Sequence, residues 1–159
     1  MAAAHRPRIE NPILLCYTVS HRRLISQPTN RKLQDFTHQE GSLTSIELAR
    51  RLLEIVEDKQ ASDIVLLDIR ELTAIADYFV IGTVSSERQA AAIEDEVLAK
   101  LKLEQNIRPL AIEGKAGSAG GWLLLDYADV IVHLFEEEAR DYYKLEELWG
   151  EAKVVVKVM

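Results

Sequence analysis

The sequence predicts an α/β fold: a mixed sheet of about five strands flanked by helices. Three observations carry this. Apolar runs such as Ile64-Val65-Leu66-Leu67 and Tyr78-Phe79-Val80-Ile81 have no polar interruption and read as strands buried on both faces. Segments with apolar residues three and four apart lie between such runs and read as the helices that cover those faces. The chain has 159 residues, 48% of them hydrophobic, which suits one domain with a real core.

The elements follow in order. Thr44 and Glu47 form a capping box, in which each side chain accepts from the other residue's free N–H. The box opens a helix over 45–59 whose Ile46, Ala49, Leu52, Leu53 and Val56 share one face. Ile64 to Leu67 is the first strand, and Tyr78 to Ile81 the second, ending at Gly82. Ser85 or Ser86 caps the next helix, with Gln89 completing a box with Ser86. Ala91, Ala92, Val97, Leu98 and Leu101 carry that helix to about Glu104. Pro109 to Ile112 is a short third strand. Trp122–Asp126 and Val130–Phe135 are separated by Tyr127, Ala128 and Asp129 alone, so they pair as an antiparallel hairpin. Residues 138–149 return to helical spacing, with Tyr142, Leu145 and Leu148 or Trp149 on one face, behind an acidic first turn at Glu136-Glu137-Glu138. Val154 to Val158 is β-prone and reads as an edge strand in preference to a pairing surface for another chain.

Charge divides the chain. Residues 1–43 carry six basic residues (Arg6, Arg8, Arg22, Arg23, Arg31 and Lys32) against Glu10, Asp35 and Glu40, whereas the remainder carries 13 basic against 23 acidic. Residues 1–43 therefore read as a basic, flexible N-terminal extension, 44–152 as the folded domain and 153–159 as a β-prone tail. An organelle transit peptide is the alternative for the extension. Recurring Arg and Ser favour it, and the three acids and the missing amphipathic pattern oppose it. The net charge of −7 argues against a primary nucleic-acid site. No apolar run approaches the roughly 20 residues that span a bilayer, so no membrane partner is expected. The lone Cys16 excludes an internal disulfide framework and Cys-rich zinc sites.

Candidate chemistry is thin. The Gly-rich stretch 114–121 lacks phosphate-loop spacing, and a strand rather than a helix follows it, so it reads as a mobile loop beside the hairpin. Asp126 and Asp129 flank a tight turn and read as turn caps before metal ligands. Gly82-Thr83 suggests a nucleotidyltransferase turn, but no Asp-x-Asp or Asp-x-Glu pair follows to grip magnesium. His133 lies within a strand with no nucleophile spaced for it, and reads as a hydrogen-bonded residue beside or within a binding face. Trp122, which opens a strand after the loop, is equally a core residue or an interface anchor.

Five stretches together carry a likeness. They are Ala76-Asp77-Tyr78-Phe79-Val80-Ile81, Ser85-Ser86-Glu87-Arg88-Gln89, Glu113-Gly114, Gly121 through Phe135, and Arg140 through Trp149. This series, in order over about 44–152, resembles the ribosomal silencing factor family, also called the Iojap family. The resemblance implies a nucleotidyltransferase-like fold without the catalytic carboxylates, and therefore no enzyme, catalytic residue, metal or cofactor. It implies binding to the large ribosomal subunit through its ribosomal protein number fourteen, at the face where the small subunit docks. Occupying that face blocks subunit joining and lowers translation when nutrients are scarce. It also implies a homodimer when free, in the bacterial cytoplasm or, if 1–43 is a transit peptide, in an organelle. The alternative function is a metal-dependent nucleotidyltransferase-like enzyme.

The expected binding surface comprises Trp122, Leu124, Asp126, Tyr127 and His133, with Tyr78 and Arg88 nearby. Strand alternation places Trp122, Leu124 and Asp126 on one face, opposite Leu123 and Leu125, without saying which face is open. The sequence departs from the family pattern at Ala128, where Gly is usual, and at Val84 before the serines. The turn is expected to accept Ala128 if its φ is negative.

Overall fold

Residues 43–114 and 120–159 are described by a computed structural model of the chain. The Thr44 box forms as expected. Thr44 N–H donates to the Glu47 carboxylate at 2.8 Å, and Glu47 N–H to the Thr44 hydroxyl at 3.4 Å. The first of these, together with the Thr44 hydroxyl's own donation to the carboxylate at 2.7 Å, holds the Glu47 carboxyl below its ordinary pKa. Helix α1 (Ser45–Asp58) then buries Leu48, Ala49, Leu52, Leu53, Ile55 and Val56.

Strands β1 (Ser62–Asp68) and β2 (Tyr78–Val84) follow. β2 does not stop at Gly82. A Cβ at Gly82 would sit 3.3 Å from Leu134 and 3.4 Å from Val56, so the missing side chain lets the strand run on beneath α1. Helix α2 (Glu87–Gln105) starts at Ser86, whose hydroxyl accepts from Gln89 N–H at 3.3 Å. The reciprocal half of the expected box goes elsewhere: the Gln89 amide oxygen accepts from Ser85, not Ser86, because Gln89 also reaches the Lys59 carbonyl. Strand β3 (Ala111–Glu113) is followed by β4 (Trp122–Asp126) and β5 (Val130–Glu136).

The C-terminal helix differs from expectation. Two short helices, α3 (Glu137–Tyr143) and α4 (Leu145–Leu148), are separated by Lys144 at φ 45°. That left-handed residue resets the helical phase. It parts Tyr142, which faces solvent at 74% exposure, from Leu145, which is fully buried; Leu148, at the end of α4, is 57% exposed. Strand β6 (Lys153–Val158) closes the chain.

The sheet thus has six strands rather than about five, in the order β3-β4-β5-β2-β1-β6. β2 and β5 run parallel and every other neighbouring pair antiparallel. The extra strand is the Val-rich tail, which pairs with the β1 edge as expected of it.

One face, with Ile64, Leu66, Val80, Leu123, Leu125, Val132 and Leu134, packs under α1 and α2 as the main core. Each fully buried Leu or Ile there contributes about 1.5–3 kcal/mol. The opposite face carries Phe79, Trp122, His133 and Phe135, and beneath α3 and α4 these join a second, aromatic layer.

Two turns frame β4. Gly114 has φ 71°, and a Cβ there would lie 2.0 Å from the Trp122 carbonyl oxygen, so only glycine fits. Of the mobile loop expected over 114–121, residues 115–119 lie outside the described residues. At the far end of the strand, the Asp126 carboxylate accepts from Ala128 N–H at 2.8 Å, the turn cap anticipated for it. Ala128 itself has φ 69°. The condition of a negative φ is therefore not met; the turn keeps its shape with a strained alanine in it.

Candidate functional site

Register settles which side chains meet. Trp122 stands opposite Phe135, Leu124 opposite His133 and Asp126 opposite Ile131 across β4 and β5. Trp122, Leu124, Asp126 and His133 therefore share the face that α1 and α2 do not cover. Its centre is an aromatic layer. Trp122 and Phe135 lie nearly parallel at 5.9 Å, His133 and Phe135 at 6.1 Å, and Phe79 meets His133 edge-on at 4.9 Å.

His133 has no exposed surface, and burial alone pushes its pKa down to about 3. The indole N–H of Trp122 donates to His133 Nδ1 at 3.4 Å. A neutral imidazole that accepts at Nδ1 carries its proton at Nε2, so tautomer and indole orientation fix one another. Trp122 is half-buried. Tyr143 backs it from α3 at 5.8 Å. Asp126 is half-exposed at the other end of the strand, about 13 Å away for four residues of β-strand. Leu124 between them is 5% exposed.

The remaining expected residues lie elsewhere. Tyr127 and Tyr78 belong to the helix-covered core, at 6% and 3% exposure. The Tyr127 hydroxyl is buried without a partner among the described residues, and desolvation raises its pKa. Tyr78 lies under Arg70, whose guanidinium carbon is 5.2 Å from the ring centroid and which also pairs with Asp68. Arg88 is exposed in the first turn of α2, a helix that packs on the opposite side of the sheet. The structure therefore gathers Trp122, Leu124, Asp126 and His133 on one face and separates Tyr127, Tyr78 and Arg88 from it.

Sequence reasoning missed two contributors, Tyr143 and Arg140. Tyr143 sits beside exposed Tyr142, and the docking of α3 on the sheet, which adjacent identical residues do not reveal, turns Tyr143 toward Trp122. Arg140 donates to the Asp63 carbonyl at 2.7 Å and the Thr83 hydroxyl at 2.6 Å, and pairs with Glu146. Its six-residue spacing from Glu146 matches no helical pairing rule, so no periodicity pointed to it.

As chemistry, the face offers an aromatic anchor with an aliphatic floor and a carboxylate rim, the anatomy of a protein-binding hot spot. Gly82 and Thr83, expected to form a turn, lie inside β2, where Gly82 is packed against Leu134 and Val56 and the Thr83 hydroxyl accepts from Arg140. Among the described residues no group of three or more His, Cys, Asp or Glu is placed to hold a metal ion. Nor is any helix among them long and apolar enough to cross a membrane.

Fold and face define an α/β domain with helices α1 and α2 on one side of the sheet and an aromatic layer on the other. A family model described as "Ribosomal silencing factor during starvation" matches residues 42–158. A ribosomal silencing factor of Halalkalibacterium halodurans is 39% identical over 113 residues, covering 71% of this chain and 94% of that protein. A crystal structure of a Chromobacterium violaceum protein superposes with TM-score 0.62 at 34% identity, covering 72% of this chain and 94% of that one. A mouse protein named for mitochondrial assembly of the ribosomal large subunit is 31% identical over 128 residues, 77% of this chain and 55% of that protein. The chain belongs to the ribosomal silencing factor family.

Proposed function

We propose that this protein is a non-enzymatic translational repressor. It binds the large ribosomal subunit through ribosomal protein number fourteen and obstructs docking of the small subunit. The observation that carries the reading is Trp122, half-buried on an aromatic layer and held by His133 and Tyr143. An aromatic side chain fixed before binding loses little rotamer freedom on contact, which makes it an efficient anchor. Names of relatives support the ribosomal setting: one is a silencing factor, another acts in large-subunit assembly.

Within this reading the expected residues divide by task. Trp122 and Asp126 touch the partner and Arg88 lies at the rim. His133 holds Trp122 through its hydrogen bond, Leu124 is buried opposite His133, and Tyr127 and Tyr78 pack in the core at the strand ends. The free protein is a homodimer. Its compartment is the bacterial cytoplasm, with an organelle as the alternative suggested by the mitochondrial relative. Fusing residues 1–43 to a fluorescent reporter in eukaryotic cells separates the two: import supports the organelle, diffuse signal the cytoplasm.

The central test is co-sedimentation with isolated large subunits, paired with light scattering to follow subunit joining. Wild-type protein is expected to co-sediment and to suppress joining. Trp122→Ala should bind about thirtyfold more weakly, a loss of about 2 kcal/mol, with its circular dichroism unchanged. Failure of the wild type to co-sediment, or joining at full rate in its excess, overturns the reading. So does magnesium-dependent nucleotide turnover that Asp126→Asn abolishes. A Trp122→Ala protein that simply unfolds removes the anchor assignment.

A further inference from the structure

We infer that Arg140 is a positioning residue for the binding face: it never touches the partner but sets the orientation of Trp122 by locking the C-terminal segment onto the sheet. The inference rests on the reading of Trp122 as anchor.

The guanidinium is mostly buried, its side chain 14% exposed, and it joins three separate parts of the chain. Nη1 donates to the Asp63 carbonyl at 2.7 Å and to the Thr83 hydroxyl at 2.6 Å. Nε donates to Glu146 at 3.0 Å, and Nη2 pairs with the same carboxylate oxygen. The Asp63 carbonyl is available because the β1–β2 register shifts between Ser62 and Val65, with Asp63 itself at φ 47°. A bulge thus frees a backbone acceptor from the ladder, and Arg140 takes it.

Two routes lead from this lock to Trp122. Tyr143, one helical turn beyond Arg140 on α3, packs on Trp122 and on Phe135, each at 5.8 Å. Beyond the left-handed Lys144, Glu146 returns to Arg140, and this holds α4 in place so that Trp149 meets Phe79 edge-on at 5.3 Å. Phe79 in turn meets His133, the acceptor of the Trp122 indole N–H. Both the ring that backs the anchor and the ring that receives its hydrogen bond are therefore braced by the segment that Arg140 fastens. Lysine does not replace it: a single ammonium lacks the planar fork that reaches a carbonyl, a hydroxyl and a carboxylate together.

The test uses the full chain labelled with 5-fluorotryptophan, the Trp122 resonance being assigned by Trp122→Phe. Arg140→Lys, Thr83→Val and Glu146→Gln are compared by fluorine NMR, far-ultraviolet circular dichroism and binding to large subunits. In Arg140→Lys the Trp122 line is expected to shift and broaden while the helical signal is retained. If the competent orientation falls to about a tenth, apparent affinity falls about tenfold. Thr83→Val and Glu146→Gln should move the same line less. Should Arg140→Lys fail to fold, these two decide the matter. An unchanged Trp122 line in every folded variant overturns the inference, as does lost affinity with the line unmoved, since Arg140 then contacts the partner itself. Failure of wild-type protein to bind subunits defeats the proposed function, and the fluorine line still reports on the positioning.

Discussion

Two residues show how single side chains trade local cost against place. Ala128 occupies a left-handed conformation at φ 69°, which costs an L-residue with a Cβ about 1–2 kcal/mol relative to glycine. Part of that is regained because glycine loses more entropy on folding. Ala128→Gly should therefore raise stability by about 0.5–1 kcal/mol in urea denaturation, and an unchanged or lower midpoint would show that the turn carries no strain. His133 is the other case. Unfolded, its imidazole takes a proton below about pH 6.5; folded, burial delays this to about pH 3. The unfolded state thus binds more protons in this window. The contribution of His133 is complete above pH 6.5 and is lost as pH falls from there toward 3. Between pH 7 and pH 5 the chain should lose about 2 kcal/mol through this residue. Comparison with His133→Asn, which does not titrate, isolates the effect; equal slopes for the two proteins would refute it.

At the scale of elements, boundaries depend on single hydrogen bonds at helix ends. The 19-residue α2 relies on the Ser86 hydroxyl for a free N–H in its first turn, and on left-handed Asn106 to close it. Ser86→Ala should cost about 1 kcal/mol by thermal or urea unfolding. The Gln89 side chain remains bonded to Ser85 and to Lys59, so the helix should start at the same place. A loss below a few tenths would mean that Ser85 substitutes as cap. The pair α3 and α4 shows the reverse case, in which local preference yields. Residues 138–149 have the spacing for one helix, yet Lys144 is bent to φ 45° because that bend lets Leu145 be buried and Glu146 reach Arg140. Tertiary contacts worth several kcal/mol outweigh the cost of one strained residue.

At the scale of the whole molecule, residues 44–159 carry 13 basic against 23 acidic residues, a balance that would suit the basic ribosomal partner proposed above. Long-range attraction of this kind speeds encounter more than it slows departure. Raising ionic strength from 0.05 to 0.3 M shortens the screening length from about 14 Å to about 6 Å. Association with large subunits, followed by stopped flow, should therefore slow several-fold while dissociation changes little. A salt-independent association rate would show that charge plays no part in recognition. With one face filled by α1 and α2, the second is left for an aromatic layer that the short C-terminal helices cover in part.

Much of this was legible in the chain alone. Strands β1, β2, β4 and β5 announce themselves as continuous apolar runs because both sides of a central strand are buried. Thr44 with Glu47 marks the start of α1, and Tyr127-Ala128-Asp129 permits only a tight hairpin. The likeness to the silencing factors was likewise carried by local stretches, from Ala76 to Trp149. Period-two alternation even sorted Trp122, Leu124 and Asp126 from Leu123 and Leu125. It did not say which set the helices would cover, nor that Tyr127 and Tyr78 would fall in the covered core. Those outcomes, the break at Lys144 and the lock at Arg140 depend on contacts such as Arg140 with Asp63, 77 residues apart. Hydrophobic period and capping act between residues a few positions apart and so can be read along the chain. The choice of an open face is made only when distant segments compete to bury the same surface.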